Sequence, residues 1–271
     1  MAQMNSVVRP TNPGFAPLTV LGSSLTDVGA VRTSNEDNVR VVIPQDLRQL
    51  SEKGVLAVVA DGMGGHEGGE VASAMAIERV GDRYYKERGD PQQALLRAFE
   101  IANHDIYEHA RKHSKLAGMG TTCTAVAVVN GMAYSAHVGD SRVYLVRAEQ
   151  IYCMTEDHSA PMEMVKQGML TLAEARNHEE RNVILRAMGT RPQLEVALWT
   201  TPFPLRQDDR LLLCSDGLYE KIDDRELASV AAAHAPEQAC RELIRIAIER
   251  VSSDNVTVAI LQLGTGSVVW S

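Results

Sequence analysis

The chain has 271 residues, a formal net charge of -8 and 45% hydrophobic residues. That length and apolar content suit a folded domain with a sizeable core, and no Pro/Gly/Ser-rich linker divides the sequence. The acidic balance argues against nucleic acid or an anionic membrane as the main partner, since both demand basic surface.

Residues 1–20 hold three prolines and no apolar stretch of signal-peptide length. They read as a flexible extension ahead of a domain at 21–264, with 265–271 as a tail. Asp37 to Ile43 reads as a strand, Pro44 to Gly54 as a polar loop, and Val55 to Ala60 as a buried strand ending at Asp61. Glu70 to Tyr85 is apolar at helical spacing, at Val71, Ala74, Met75, Ile77 and Val80. Asp90-Pro91-Gln92-Gln93 joins an N-cap, a proline at the first helical position and a cap partner. The helix it opens is expected to reach about His113 on Leu95, Ala98, Phe99, Ala102, Ile106 and Ala110.

Gly118 to Gly139 is long and uncharged, but it carries several threonines and the turn signal Asn130-Gly131. It predicts a hairpin of Thr122–Val129 and Met132–Val138 rather than a membrane span. Arg142–Val146 and Gln150–Met154 suggest a second hairpin. Asp157 to Gly189 interrupts the strands with a Met-, Glu-, Arg- and His-rich segment containing the capping box Thr171-Leu172-Ala173-Glu174. It reads equally as a flap beside a site or as a peripheral excursion. Strands follow at Glu195–Thr200, Arg210–Ser215 and Val256–Leu263, with helices opened by Asp223 and by Pro236. The four cysteines, Cys123, Cys153, Cys214 and Cys240, lack metal-ligand spacing and read as buried thiols of a reducing compartment, the cytoplasm. Paired antiparallel strands, several of them apolar throughout, with amphipathic helices between the groups, predict an α+β layered sandwich with sheets inside and helices outside.

Aspartates recur where apolar strands meet turns: Asp61-Gly62, Gly139-Asp140, Asp216-Gly217 and Asp254-Asn255, with Asn35-Glu36-Asp37 near the start. One such residue is an ordinary turn former; the whole set suggests a shared site for hard divalent cations, which prefer carboxylate oxygen. Two unit charges about 4 Å apart repel by roughly 4 kcal/mol at an effective dielectric near 20, so converging carboxylates call for neutralisation. A pair of ions would ionise a water and draw in a phosphate, and Arg32 is a candidate for the phosphate oxygens. The glycine-rich run from Gly62 to Gly69 lacks Gly-Lys-Ser/Thr, which excludes a nucleotide loop. The histidines at 104, 109 and 113 lack a zinc-peptidase pattern, and a two-metal nuclease would need a basic groove.

The motifs Thr26-Asp27-Val28-Gly29 with Arg32 and Asn35-Glu36-Asp37, Val59-Ala60-Asp61-Gly62-Met63-Gly64-Gly65-His66, Gly120-Thr121-Thr122, His137-Val138-Gly139-Asp140-Ser141-Arg142, Leu213-Cys214-Ser215-Asp216-Gly217-Leu218 and Asp254-Asn255-Val256-Thr257 stand in one order. In that order the chain resembles the metal-dependent Ser/Thr protein phosphatases of type 2C (the PPM family), in their bacterial branch. The resemblance implies a four-layer α-β-β-α sandwich with a small helical flap at about 157–189. It implies a pair of Mn2+ or Mg2+ ions, with Asp61 bridging them, the Gly62 carbonyl on the second, and Asp216 and Asp254 completing the first. Glu36 and Asp37 would lie beside the second ion, and Asp140 with Asp216 would form a weaker third site. Arg32 would bind the substrate phosphate, and Arg32, Asp61 and Asp216 would carry catalysis. Partners would be phosphorylated Ser/Thr proteins and a cognate kinase, with the chain a monomer. Some relatives place a histidine, a proposed general acid, where this chain has Met63; His66 is nearby but reads better as a loop residue. A phosphatase-like sensor that has lost catalysis is the alternative, and intact Asp61, Asp216 and Asp254 count against it.

Overall fold

A computed structural model describes residues 18–64 and 68–265. The chain begins there with β1 (Leu18–Asp27) and β2 (Asp37–Val42), then α1 (Leu47–Lys53) and β3 (Val55–Met63). Two long helices follow, α2 (Gly68–Lys86) and α3 (Pro91–Lys112). The middle of the chain is strand-rich: β4 (Gly120–Thr121), β5 (Cys123–Val129), β6 (Met132–Val138), β7 (Arg142–Arg147) and β8 (Gln150–Cys153). Then come α4 (Ala160–Lys166), α5 (Leu172–Arg176), β9 (Ala197–Leu198), β10 (Phe203–Pro204) and β11 (Arg210–Cys214). The chain closes with α6 (Asp216–Tyr219), α7 (Asp224–Ala233), α8 (Pro236–Glu249) and β12 (Val256–Thr265).

Two antiparallel sheets result. One has the order β1-β12-β11-β7-β8; the other runs β10-β6-β5-β3-β2, with β4 added to β3 and β9 to β6. Side chains alternate across a strand, so a continuously apolar strand must be covered twice. In β3, Val55, Ala57 and Val59 enter the layer between the sheets, against Leu211, Leu213, Ala259 and Leu261. Leu56, Val58 and Ala60 point the other way, into a core closed by Ala76, Val80, Leu95 and Phe99 of α2 and α3. Leu212 and Cys214 of β11 likewise face Leu227, Leu243 and Ala247 of α7 and α8. The molecule is therefore the four-layer α-β-β-α sandwich expected. Among the described residues no helix is long and apolar enough to cross a membrane.

Local signals work where the sequence makes them explicit. Asn130 and Gly131 both have positive φ, 51° and 78°, as the two-residue hairpin requires. Asp90 accepts from Gln93 N, Thr171 forms its full capping box, and Asp223 accepts from Glu226 N.

Other expectations need correction. Pro44–Gly54 is not only loop: α1 lies within it, capped by Asp46, and is too short to show a clear period. The Glu195–Thr200 strand shrinks to Ala197–Leu198, which pairs with His137 and Ala136. β1 starts inside the segment read as extension, because Leu18–Val20 pair with Leu263–Thr265; that pairing also draws Thr265 out of the expected tail. Cys153 is exposed, on the edge strand β8, while Cys123, Cys214 and Cys240 are buried. The rest of the leading and trailing segments, and His66, lie outside the described residues.

Candidate active site

The site grows from strand ends. Asp37 and Asp61 are register partners across β2 and β3, which sets them side by side on one sheet. On the other sheet, Asp216 follows β11 and Asp254 precedes β12, two strands that pair through Cys214 and Val258. Asp140 occupies the β6–β7 turn, after Gly139 at φ 107°. A side chain at Gly139 would collide with Thr122, so the turn closes only around glycine.

These carboxylates share one electrostatic field. Asp61 is pushed well above the usual carboxylate range by burial, then by the charges of Asp37, Asp216, Asp140 and Asp254. Asp216 is raised in the same way by burial, then by Asp140, Asp254, Asp37 and Glu220. Burial lifts Asp37 to about 6, against hydrogen bonds from Ser215 and Thr257 that hold it down. Asp140 rises to about 7 through burial and the nearby Asp157. Glu36 is also raised, chiefly by burial.

Hydroxyl and amide groups fix this acidic cluster. Thr122 Oγ1 accepts from Asp61 N at 2.9 Å and pairs with Ser141 Oγ at 2.8 Å. Thr121 Oγ1 donates to Asp61 O at 2.8 Å. Ser215 Oγ donates to Asp37 Oδ2 at 2.7 Å and accepts from Thr257 N at 3.1 Å. Gly62 N donates to Glu36 O, and a Cβ at Gly62 would meet Gly69 O at 2.1 Å, so only glycine lets α2 approach this closely. Sequence reasoning placed the aspartates but missed these small polar partners as a scaffold. Their signal was adjacency, in Thr121-Thr122, Asp140-Ser141 and Ser215-Asp216.

Arg32 reaches the cluster from the β1–β2 loop and pairs with Asp254 Oδ2 at 2.7 Å. Val31 beside it is exposed. Met63 ends β3 and is partly buried. The flap roots touch the same region: His158 N donates to Gly139 O, and Met188 exchanges two backbone hydrogen bonds with Thr121. Asp157, at the flap entrance, takes a bidentate contact from Arg142, whose guanidinium stacks 3.7 Å over the Tyr219 ring. His137 and His158 stack behind the site at 4.8 Å; burial lowers them to about 3 and about 4, so both stay neutral.

The donor chemistry fits hard cations. Every expected ligand offers oxygen, and the buried Oδ1 atoms of Asp140 and Asp216 have no hydrogen-bond partner. Among the described residues no group of three or more His, Cys, Asp or Glu side chains is placed to hold a metal ion directly. The cluster is a shared acidic cradle of oxygen donors, the donor type that hard cations take.

An oxygen-only acidic cradle with an adjoining guanidinium, at one end of a double-sheet sandwich, defines a centre suited to phosphate-ester hydrolysis. Its lineage is equally clear from relatives. The protein phosphatase 2C family matches residues 31–255. The chain is 34% identical over 246 residues to the protein phosphatase PhpP of Streptococcus pneumoniae, covering 89% of this chain and 96% of that protein. It is similar to the crystal structure of the Mycobacterium tuberculosis serine/threonine phosphatase PstP/Ppp, with TM-score 0.80, 32% identity, and 90% and 99% of the two chains covered. A PstP catalytic-domain structure holding two manganese ions matches with TM-score 0.78 and 32% identity, over 91% of this chain and 99% of that one. The chain belongs to the protein phosphatase 2C family. It is a protein serine/threonine phosphatase of the bacterial PPM type.

Proposed function

We propose that the chain hydrolyses phosphoserine and phosphothreonine monoesters of proteins with Mn2+ or Mg2+ held in the aspartate cradle. Asp61, the Gly62 carbonyl, Asp216 and Asp254 would hold a pair of ions, with Glu36 and Asp37 beside the second. The unpartnered Oδ1 atoms of Asp140 and Asp216 support a weaker third position. The observation that carries the reading is the convergence of strand ends: Asp37 lies beside Asp61 across β2 and β3, Asp216 and Asp254 flank the paired β11 and β12, and the charges of Asp37, Asp216, Asp140 and Asp254 all act on the buried Asp61.

Bound there, paired hard cations supply a hydroxide nucleophile near neutral pH and offset charge on the phosphoryl transition state. The chain's own groups do the rest. Arg32 holds phosphate oxygens through its guanidinium. Thr122 and Thr121 fix the Asp61 main chain, and Ser215 orients Asp37. Met63 carries no titratable group, so the leaving alkoxide draws its proton from water. The flap, rooted at His158 and Met188, faces the protein substrate. A Ser/Thr kinase of a bacterial cytoplasm would supply the substrate, and the chain would act as a monomer without nucleic acid or membrane.

Chelator-stripped protein assayed on a phosphothreonine peptide tests this. No turnover is expected until Mn2+ is returned; full turnover without metal would refute the reading.

A further inference from the structure

Arg32 rides on the loop of residues 28–36 between β1 and β2. One buried side chain ties both limbs of that loop. Asn255, 3% exposed, donates from Nδ2 to Val28 O at 2.9 Å and to Ser34 O at 2.9 Å, and its Oδ1 accepts from Glu36 N at 2.8 Å. The tied points lie on either side of Arg32. The loop presents two carbonyls and one amide N–H, and a carboxamide answers with two donors and an acceptor. Aspartate would lack the donors.

The anchor itself is held. Gly217 passes so close that a Cβ there would meet Asn255 O at 2.0 Å. On the other side, Gly29 has φ +80°, and a Cβ there would meet Asp254 O at 2.2 Å. Asn255 N also donates to Asp254 Oδ1 at 2.8 Å, while Arg32 takes Asp254 Oδ2 at 2.7 Å. The Asn255 side chain thus sets the loop that carries Arg32, while its main-chain N–H, which alanine would keep, holds the Asp254 carboxylate that the guanidinium meets.

We infer that Asn255 is a positioning residue for the reaction: it fixes Arg32 over the acidic cradle and governs phosphate affinity without touching phosphate. The inference rests on the proposed role of Arg32 as the phosphate ligand. It differs from a general structural role because its effect must vanish when the guanidinium is absent.

A double-mutant cycle reads this directly. Asn255→Ala, Arg32→Ala and the pair are compared in Mn2+-loaded enzyme, with inorganic phosphate as competitive inhibitor of p-nitrophenyl phosphate hydrolysis. Calorimetry of Mn2+ binding and a thermal midpoint accompany each variant. Asn255→Ala is expected to weaken phosphate about tenfold, raising KM more than it lowers kcat, with Mn2+ affinity held. In the Arg32→Ala background the same change should leave phosphate affinity where it was. Equal losses with and without Arg32 would overturn the inference while leaving the Arg32 reading intact. No loss on Arg32→Ala alone would overturn that reading and the inference with it. If Asn255→Ala fails to fold, Asn255→Ser replaces it; failure of both assigns Asn255 to the scaffold and also overturns the inference.

Discussion

The interior and the end of β3 obey opposite rules. From Val55 to Ala60 every residue is buried, apolar and packed on both faces, with nothing to titrate. One step further, Asp61 is a carboxylate crowded by other carboxylates and lifted out of its normal range. The same contrast recurs in β11, where Leu211 to Cys214 lead into Ser215-Asp216. Strand interiors supply stability; strand ends hold strain that a bound cation would relieve. A rigid sandwich can carry such an end because its core lies elsewhere.

The largest effect expected from breaking this contrast is on turnover. Asp61→Asn and Asp216→Asn should each cut phosphopeptide hydrolysis on the order of 1,000-fold while circular dichroism stays native. Activity near wild type would remove the residue from the centre. At the other end of the contrast, Leu213→Ala should cost about 3 kcal/mol in urea unfolding, with Mn2+ affinity of the folded protein little changed. A large fall in metal affinity would mean that core and cradle are not separable.

The strain itself has a pH signature. Asp140 titrates at about 7 in the fold and near 3.9 when unfolded, so the folded state keeps its proton longer. Stability from this group is full below the unfolded value and is lost as pH rises through about 7. In chelator, Asp140→Asn should therefore gain on wild type, by on the order of a few kcal/mol, as pH climbs from about 4 to 7. Taking the difference between the two proteins removes His137 and His158, whose lowered values act with opposite sign. A gap that narrows with pH would show that burial and neighbouring charge do not raise the Asp140 carboxyl. The smallest effect belongs to Arg32→Ala: KM for phosphopeptide should rise about tenfold with Mn2+ binding unchanged. A fall in Mn2+ affinity would make Arg32 a structural partner of Asp254.

Sequence legibility followed the same divide. The apolar runs, the Asn130-Gly131 hairpin, the Thr171 capping box and the Asp90 and Asp223 N-caps are local, and local chemistry reads well. The aspartates were visible because a carboxylate closing an apolar run adds nothing to the core behind it and stands out against its neighbours. What joined them was not visible. The Asp37–Asp61 register depends on a pairing of distant strands, and Asn255 reaches across the whole chain to Val28 and Ser34. β1 carries no clear strand signal because Gly22, Ser23, Ser24 and Thr26 dilute its apolar pattern; it is held by β12, a partner more than 200 residues away. The second hairpin forms where Arg142–Val146 and Gln150–Met154 predict it; only its turn type is hidden, because Ala148 and Glu149 take positive φ with no Asn or Gly to announce it, and Arg147 and Gln150 are already paired across it.

Mn2+ stoichiometry tests the cradle most directly. Chelator-stripped wild type and Asp61→Asn, both checked as folded, would be titrated with Mn2+ by calorimetry. Two tight sites in the wild type and loss of that pair in Asp61→Asn are expected. The same binding curve for both proteins would contradict a shared centre built on Asp61.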